Sequence, residues 1–293
     1  MKYLAPTTVG ETLDLLAELG DRAKLLAGGQ SLLILMRERL VDPDALIGLS
    51  GVSELRQIDV DGGARIGAMA THTAVGHDPR ISAGWPLLTA AEAAVSTMQI
   101  RNRGTLGGNV AHAFPTADPP AALIALDAQI HLASKAGGER VIPVEEFFVG
   151  LMESVARPDE LLTAISLPPQ PQGAHGAYIK YAMRPLDFAI VGAAARVALN
   201  PDGTIADARI GLNGAANRPL RAAGAEAILT AERPSPALLA QAGDVAARDA
   251  DPIDDIDGSS DYKRRVIAIY TRRVLERALR SASEDRPAEP VLQ

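Results

Sequence analysis

Apolar residues at Leu13, Leu15, Leu16 and Leu19 follow a capping signature, Thr8 with Glu11 three residues on. The run stops at Gly20, which predicts one helix opening after Thr8. "AKLLAGGQS" then reads as a short strand entering a glycine-pair turn, and "SLLILMRERL" resumes with helical spacing. From Leu46 to Ala70 the pattern is short strands around turns such as "DVDGGAR", whereas "MATHTAVGHDPRI" carries no firm periodicity. Pro86 opens a helix through "PLLTAAEAAVSTM", because proline at the first helical position gives up no needed donor. "DPPAALIALDA" reads as a further helix with Asp118 at its N-cap, and "QIHLAS", "ERVIPV" and "ELLTAISLP" as strands.

"PPQPQGAHG" at 168–176 has linker composition. Beyond it, "AYIKYAM" reads as a strand, and "AIVGAAARVAL" and "ARIGLNG" pair as a hairpin across "NPDGT". Helices follow near 219–230, 235–249 and 261–282. The fold class is therefore α+β, without the strand–helix alternation of a doubly wound sheet. Its expected parts are an N-terminal lobe at 1–60, a second lobe at 61–172, a C-terminal domain of antiparallel strands and helices at 173–284, and a disordered tail at 285–293.

Composition narrows the function. A net charge of −7 and 3% aromatic residues argue against a nucleic-acid groove. No apolar run reaches the length of a membrane span, and "MKYLAPTTVGETLD" lacks a signal core, so a cytoplasmic protein is expected. The chain has no cysteine, which removes disulfides, thiolate zinc sites, iron–sulfur ligation and a thiol nucleophile. Any redox group held here must be organic.

Two glycine pairs carry the chemistry. "LLAGGQS" (25–31) and "TLGGN" (105–109) are expected in loops, where successive N–H groups form an anion-binding concavity and Ser31, Thr105 and Asn109 add side-chain donors. The pairs in "DGGAR" and "AGGER" read as hairpin turns. What sets 105–109 apart is its company, "RNR" at 101–103 before it and Asp118 after it. Neither a Rossmann fingerprint, nor a P-loop, nor a nucleophile elbow has the required spacing.

"LLAGGQSLL", "IRNRGTLGGN", "PTADPPAALIALDA" and "LPPQPQGAHGAYIKYAMRPLDFAIVGAAARV" together resemble the FAD-binding medium subunit of the molybdenum hydroxylases, the carbon monoxide dehydrogenase medium-chain and xanthine dehydrogenase flavin-domain family. The resemblance implies a two-lobed FAD-binding domain of the vanillyl-alcohol oxidase type followed by a small C-terminal domain. It implies FAD contacts at Leu25, Leu26, Ala27, Gly28, Gly29, Gln30, Ser31 and Leu32, and at Thr105, Leu106, Gly107, Gly108 and Asn109. Further implied contacts are Asp118 to sugar hydroxyls, Leu162 beside the ring, and Lys180; Val95 falls where relatives can carry an aromatic residue. No residue is expected to act as a catalytic acid or base or to bind metal. Molybdenum cofactor and two [2Fe–2S] clusters are expected only in partner chains, a large and a small subunit, in a dimer of heterotrimers. The missing cysteines agree with that division. The alternatives are a self-contained flavin reductase or oxidase on this fold, and a scaffold that has lost its flavin.

His72 and His77 beside Asp78 lack a third ligand at metal-site spacing and are expected in surface or capping roles. His112 either approaches the flavin or packs in a core, and Arg101 and Arg103 either face cofactor phosphates or lie in solvent or against a partner. On the last helix Val266, Ile267, Ile269, Tyr270, Val274 and Leu279 form the expected core stripe, with the arginines solvated.

Overall fold

The computed structural model describes residues 1–284, so the tail at 285–293 lies outside the described residues. Thr8 caps the helix Val9–Leu19 by accepting from Glu11 N–H (3.1 Å), and Glu11 returns its carboxylate to Thr7 N–H (2.7 Å). Gly20 closes the helix at φ 52°. The first sheet has Ala45–Gly48 at its centre, fully buried, with Lys2–Leu4 and Ala23–Leu26 on either side. Both pairings are parallel. Strands and helices alternate only in this small sheet, and the α+β class holds without a doubly wound sheet among the described residues.

The second sheet is antiparallel, in the order Ile58–Asp61, Gly63–Gly67, Leu161–Leu167, Gln129–Ser134, Gly138–Pro143. Gly62 (φ 66°) and Gly138 (φ 64°) make its two hairpin turns, as their sequences predict. Against this sheet pack short helices. The stretch without periodicity becomes His72–His77 and Pro79–Gly84, defined by the side-chain caps of Thr71 and Asp78 rather than by an apolar stripe. Pro86 opens Pro86–Ala94 as expected.

Asp118 is not an N-cap. Helix Asp118–Ala125 is capped at Ala117, and Asp118 is its first residue. Pro119 and Pro120 have no N–H, so the first turn offers little for a cap to bind.

The third sheet, Ala174–Tyr181, Val191–Leu199, Ile205–Asn213 and Leu220–Arg221, is antiparallel and covered on both faces. Alternation sorts its side chains. Ala177, Ile179 and Tyr181 join the core beneath helices Ala223–Leu229, Pro236–Asp249 and Ser260–Glu284, while Tyr178 and Ala194 join the core of the second sheet. Two glycines permit close approach on that second face: a Cβ at Gly176 would lie 2.8 Å from Leu87 Cβ, and one at Gly211 would overlap the Ala121 carbonyl oxygen. This coverage explains why Val191–Leu199 is apolar on both faces apart from Arg196, which is ion-paired to Asp127 and Asp207. On the last helix Ile269 is exposed, against expectation, and Leu275 and Ala278 occupy the core in its place. No helix among the described residues is long and apolar enough to cross a membrane.

Candidate functional site

Strand Ala23–Leu26 ends at the first glycine pair, and Leu25 to Leu32 are all half-buried. Gly29 lies at φ +74°, a conformation that side chains resist. Gly28 is needed for a different reason: a Cβ there would overlap the Arg103 carbonyl oxygen and sit 2.8 Å from Gly104 Cα. Gln30 folds back, its amide donating to the Gly28 carbonyl at 3.2 Å. Ser31 precedes helix Leu32–Arg37 without capping it. Among the described residues, none of the N–H groups of Gly28, Gly29, Gln30 or Ser31 donates to a protein acceptor.

The second glycine pair is not in a loop. Gly107 and Gly108 lie in the first turn of helix Leu106–His112, capped by Thr105, whose hydroxyl accepts from Gly108 N–H at 3.0 Å. Leu106 N–H donates to Ala70 (3.0 Å), Gly107 N–H to Ala68 (3.1 Å) and Asn109 N–H to Thr105 (2.9 Å). The free N–H groups expected here are therefore already spent. Gly107 is required because a Cβ would lie 2.5 Å from Ala68 Cβ. Gly108 is where the two pairs meet, since its Cβ would lie 3.4 Å from Ala27 Cβ. What this turn leaves open is a side chain: Asn109 Oδ1 is buried without a partner among the described residues.

Asp118 and Lys180 form a second cluster. Lys180 Nζ donates to Asp118 Oδ2 (3.1 Å), Ala94 O (2.6 Å) and Asp187 O (3.0 Å), which uses all three of its protons. A direct hydrogen bond from Lys180 to a ligand would have to displace one of them. Tyr178 donates to Asp118 Oδ1 at 2.6 Å, and Asn213 holds the Asp118 carbonyl at 3.1 Å. Burial raises the Asp118 pKa against the opposing pull of Lys180 and Tyr178, with Glu92 adding to the rise. Burial and the facing carboxylate drive the Tyr178 phenol well above its usual range.

The clusters are joined through His72. It is buried, not on the surface as expected; its Nδ1 lies 2.5 Å from Glu92 Oε2, and its ring packs against Gly104. Glu92 Oε1 is buried without a partner among the described residues. His77 sits at the surface, 2.9 Å from the Thr73 carbonyl. No metal-ligating cluster of three occurs among the described residues.

Arg101 is half-buried and turns one nitrogen back to the carbonyls of Val95 (2.8 Å) and Ser96 (2.7 Å); Arg103 is exposed. Val95 and Leu162 are both buried, Leu162 at a bulge of the central strand. His112 stacks on Phe114 (5.8 Å, 12°), Phe114 meets Phe188 at 5.0 Å, and burial lowers the His112 pKa. Sequence reasoning missed Tyr178, Asn213 and Glu92. Only Tyr178 had a signal: it lies two residues before Lys180 and so on the same face of a strand.

Residues 1–170 match the family described as the FAD binding domain in molybdopterin dehydrogenase, and residues 176–278 match the CO dehydrogenase flavoprotein C-terminal domain. The chain belongs to the FAD-binding subunits of the molybdenum hydroxylases. It is 37% identical to the 6-hydroxypseudooxynicotine dehydrogenase complex subunit alpha of Paenarthrobacter nicotinovorans, over 96% of this chain and 95% of that one. It is 36% identical to the carbon monoxide dehydrogenase medium chain of Hydrogenophaga pseudoflava, over 94% and 96%. A solved carbon monoxide dehydrogenase from Hydrogenophaga pseudoflava, lacking the Mo-pyranopterin moiety of its cofactor, superposes with a TM-score of 0.92 at 35% identity, covering 96% of this chain and 97% of that one.

The residues of this flavoprotein subunit fit an FAD. An open turn with uncommitted N–H groups at 28–31 suits a pyrophosphate, and a buried acceptor without a donor at Asn109 suits a ligand hydroxyl or ring N–H.

Proposed function

We propose that this subunit takes electrons from [2Fe–2S] clusters of a small partner chain and passes them to an external acceptor, while a large partner hydroxylates substrate at molybdenum. FAD, when bound, supplies the carrier that takes up and releases those electrons. The observation that carries the reading is the meeting of the two glycine segments, Ala27 against Gly108 and Gly28 against Arg103–Gly104, beside four uncommitted N–H groups.

In this reading Gly28 to Ser31 hold the pyrophosphate by backbone, and Thr105, whose hydroxyl proton is free, and Asn109 add side-chain contacts. Leu25, Leu26, Ala27, Leu32, Leu106 and Leu162 exclude water around the cofactor. Gly107 acts indirectly, by letting the turn sit on Ala68. Asp118 accepts from sugar hydroxyls, and Lys180 serves it as counter-ion. The working boundaries are lobes at 1–60 and 61–172 and a C-terminal domain at 173–284, in a cytoplasmic dimer of heterotrimers. The absence of cysteine supports the division of labour, because no iron–sulfur cluster can be held by thiolates here.

Co-expression with neighbouring genes and tagged purification tests this. Two co-purifying chains, one FAD per subunit and flavin bleaching only when both partners are present are expected. A lone chain fully active on a small substrate would favour the self-contained flavoenzyme, and no absorbance near 450 nm after reconstitution with FAD would favour the scaffold.

A further inference from the structure

The third sheet reaches into the cluster around Asp118 through three side chains, Tyr178, Lys180 and Asn213, although Asp118 itself belongs to a helix 60 to 95 residues earlier. Tyr178 is fully inside the protein, and its hydroxyl has one close acceptor, Asp118 Oδ1 at 2.6 Å. Lys180 holds the other oxygen. Each carboxylate oxygen keeps one lone pair for a further donor.

We propose that Tyr178 is a positioning residue for FAD binding: its hydroxyl fixes the Asp118 carboxylate in the orientation and ionised state that a cofactor hydroxyl requires. The proposal rests on the FAD reading above and extends the site to the C-terminal sheet. The groups facing Asp118 are Tyr178 and Lys180 from the strand Ala174–Tyr181, neutral Asn213 from Ile205–Asn213, and Glu92 from Pro86–Ala94, itself paired with His72. Burial and Glu92 favour the protonated acid, while Lys180 and the Tyr178 hydroxyl favour the anion. Removing the hydroxyl raises the Asp118 pKa further, so the protonated form, a poorer acceptor, spreads to higher pH.

Tyr178→Phe keeps the ring and deletes the hydroxyl, which donates to Asp118 and also accepts from the Asn213 side chain. Tyr181→Phe is the matched control: it removes a hydroxyl from the same strand on the opposite face, where Tyr181 meets Tyr262. The measurement is FAD dissociation from the full chain, followed by flavin fluorescence between pH 5 and 8, with melting curves of both variants without FAD. Tyr178→Phe is expected to bind about tenfold more weakly at pH 7 and to lose FAD on acidification about one pH unit earlier than the parent protein. Tyr181→Phe is expected to leave the pH profile unmoved. A Tyr178→Phe profile identical to that of the parent protein, or an equal shift in both variants, would overturn the proposal while leaving FAD binding intact. A parent protein that binds no FAD would remove the underlying reading as well.

Discussion

At the first glycine pair the backbone leaves regular structure, with Gly29 left-handed and four consecutive N–H groups uncommitted. At the second, both glycines are helical and every N–H from Leu106 to Asn109 is hydrogen-bonded within the protein. The sequences look alike, Gly-Gly followed by a polar amide, yet one presents backbone and the other presents a side chain. Glycine serves close approach at Gly28, Gly107 and Gly108, and conformational freedom at Gly29. A shared motif thus hides two different physical demands.

The sharpest way to break this comparison is Gly28→Ala. Its Cβ overlaps the Arg103 backbone, which cannot yield as a flexible side chain would, so a loss of about 3 kcal/mol in thermal or denaturant stability is expected together with loss of co-purified FAD. Gly28→Val brings the same overlap with a larger side chain and should cost at least as much. Gly29→Ala acts through φ and should cost about 1 kcal/mol, because no atom lies closer than 3.0 Å to its Cβ.

Thr105→Ala and Ser31→Ala test the helix starts against each other. Thr105 caps its helix and Ser31 does not, so urea midpoints should report about 1 kcal/mol lost for the first and within about 0.5 kcal/mol of no change for the second. Asn109→Ala separates the two properties. Removing a buried acceptor without a partner should leave the unliganded protein as stable as before or slightly more so, while FAD binding weakens about tenfold in fluorescence titration. Stability and affinity falling together would mean that Asn109 has a structural partner.

Strands were legible because alternation and turn residues coincide, as in Gln129–Ser134 and its hairpin partner Gly138–Pro143. His72–Gly84 was not, since caps rather than apolar spacing define those helices. The parallel first sheet escaped because its strands pair across more than twenty intervening residues, beyond the reach of local pattern. Asp118 before two prolines looked like a cap, but its carboxylate is drawn to Tyr178 and Lys180, partners that only the tertiary fold supplies. Glycine pairs could be located from sequence, whereas their contacts with Ala68 and Arg103 could not.

Residue-resolved amide hydrogen exchange on the full chain, with and without FAD, tests the central contrast most directly. Amides of Gly28, Gly29, Gln30 and Ser31 should exchange fast in the unliganded protein and slow markedly when FAD binds, while those of Leu106 to Asn109 should be protected in both states. Unchanged exchange at 28–31 with new protection at 106–109 would contradict the account.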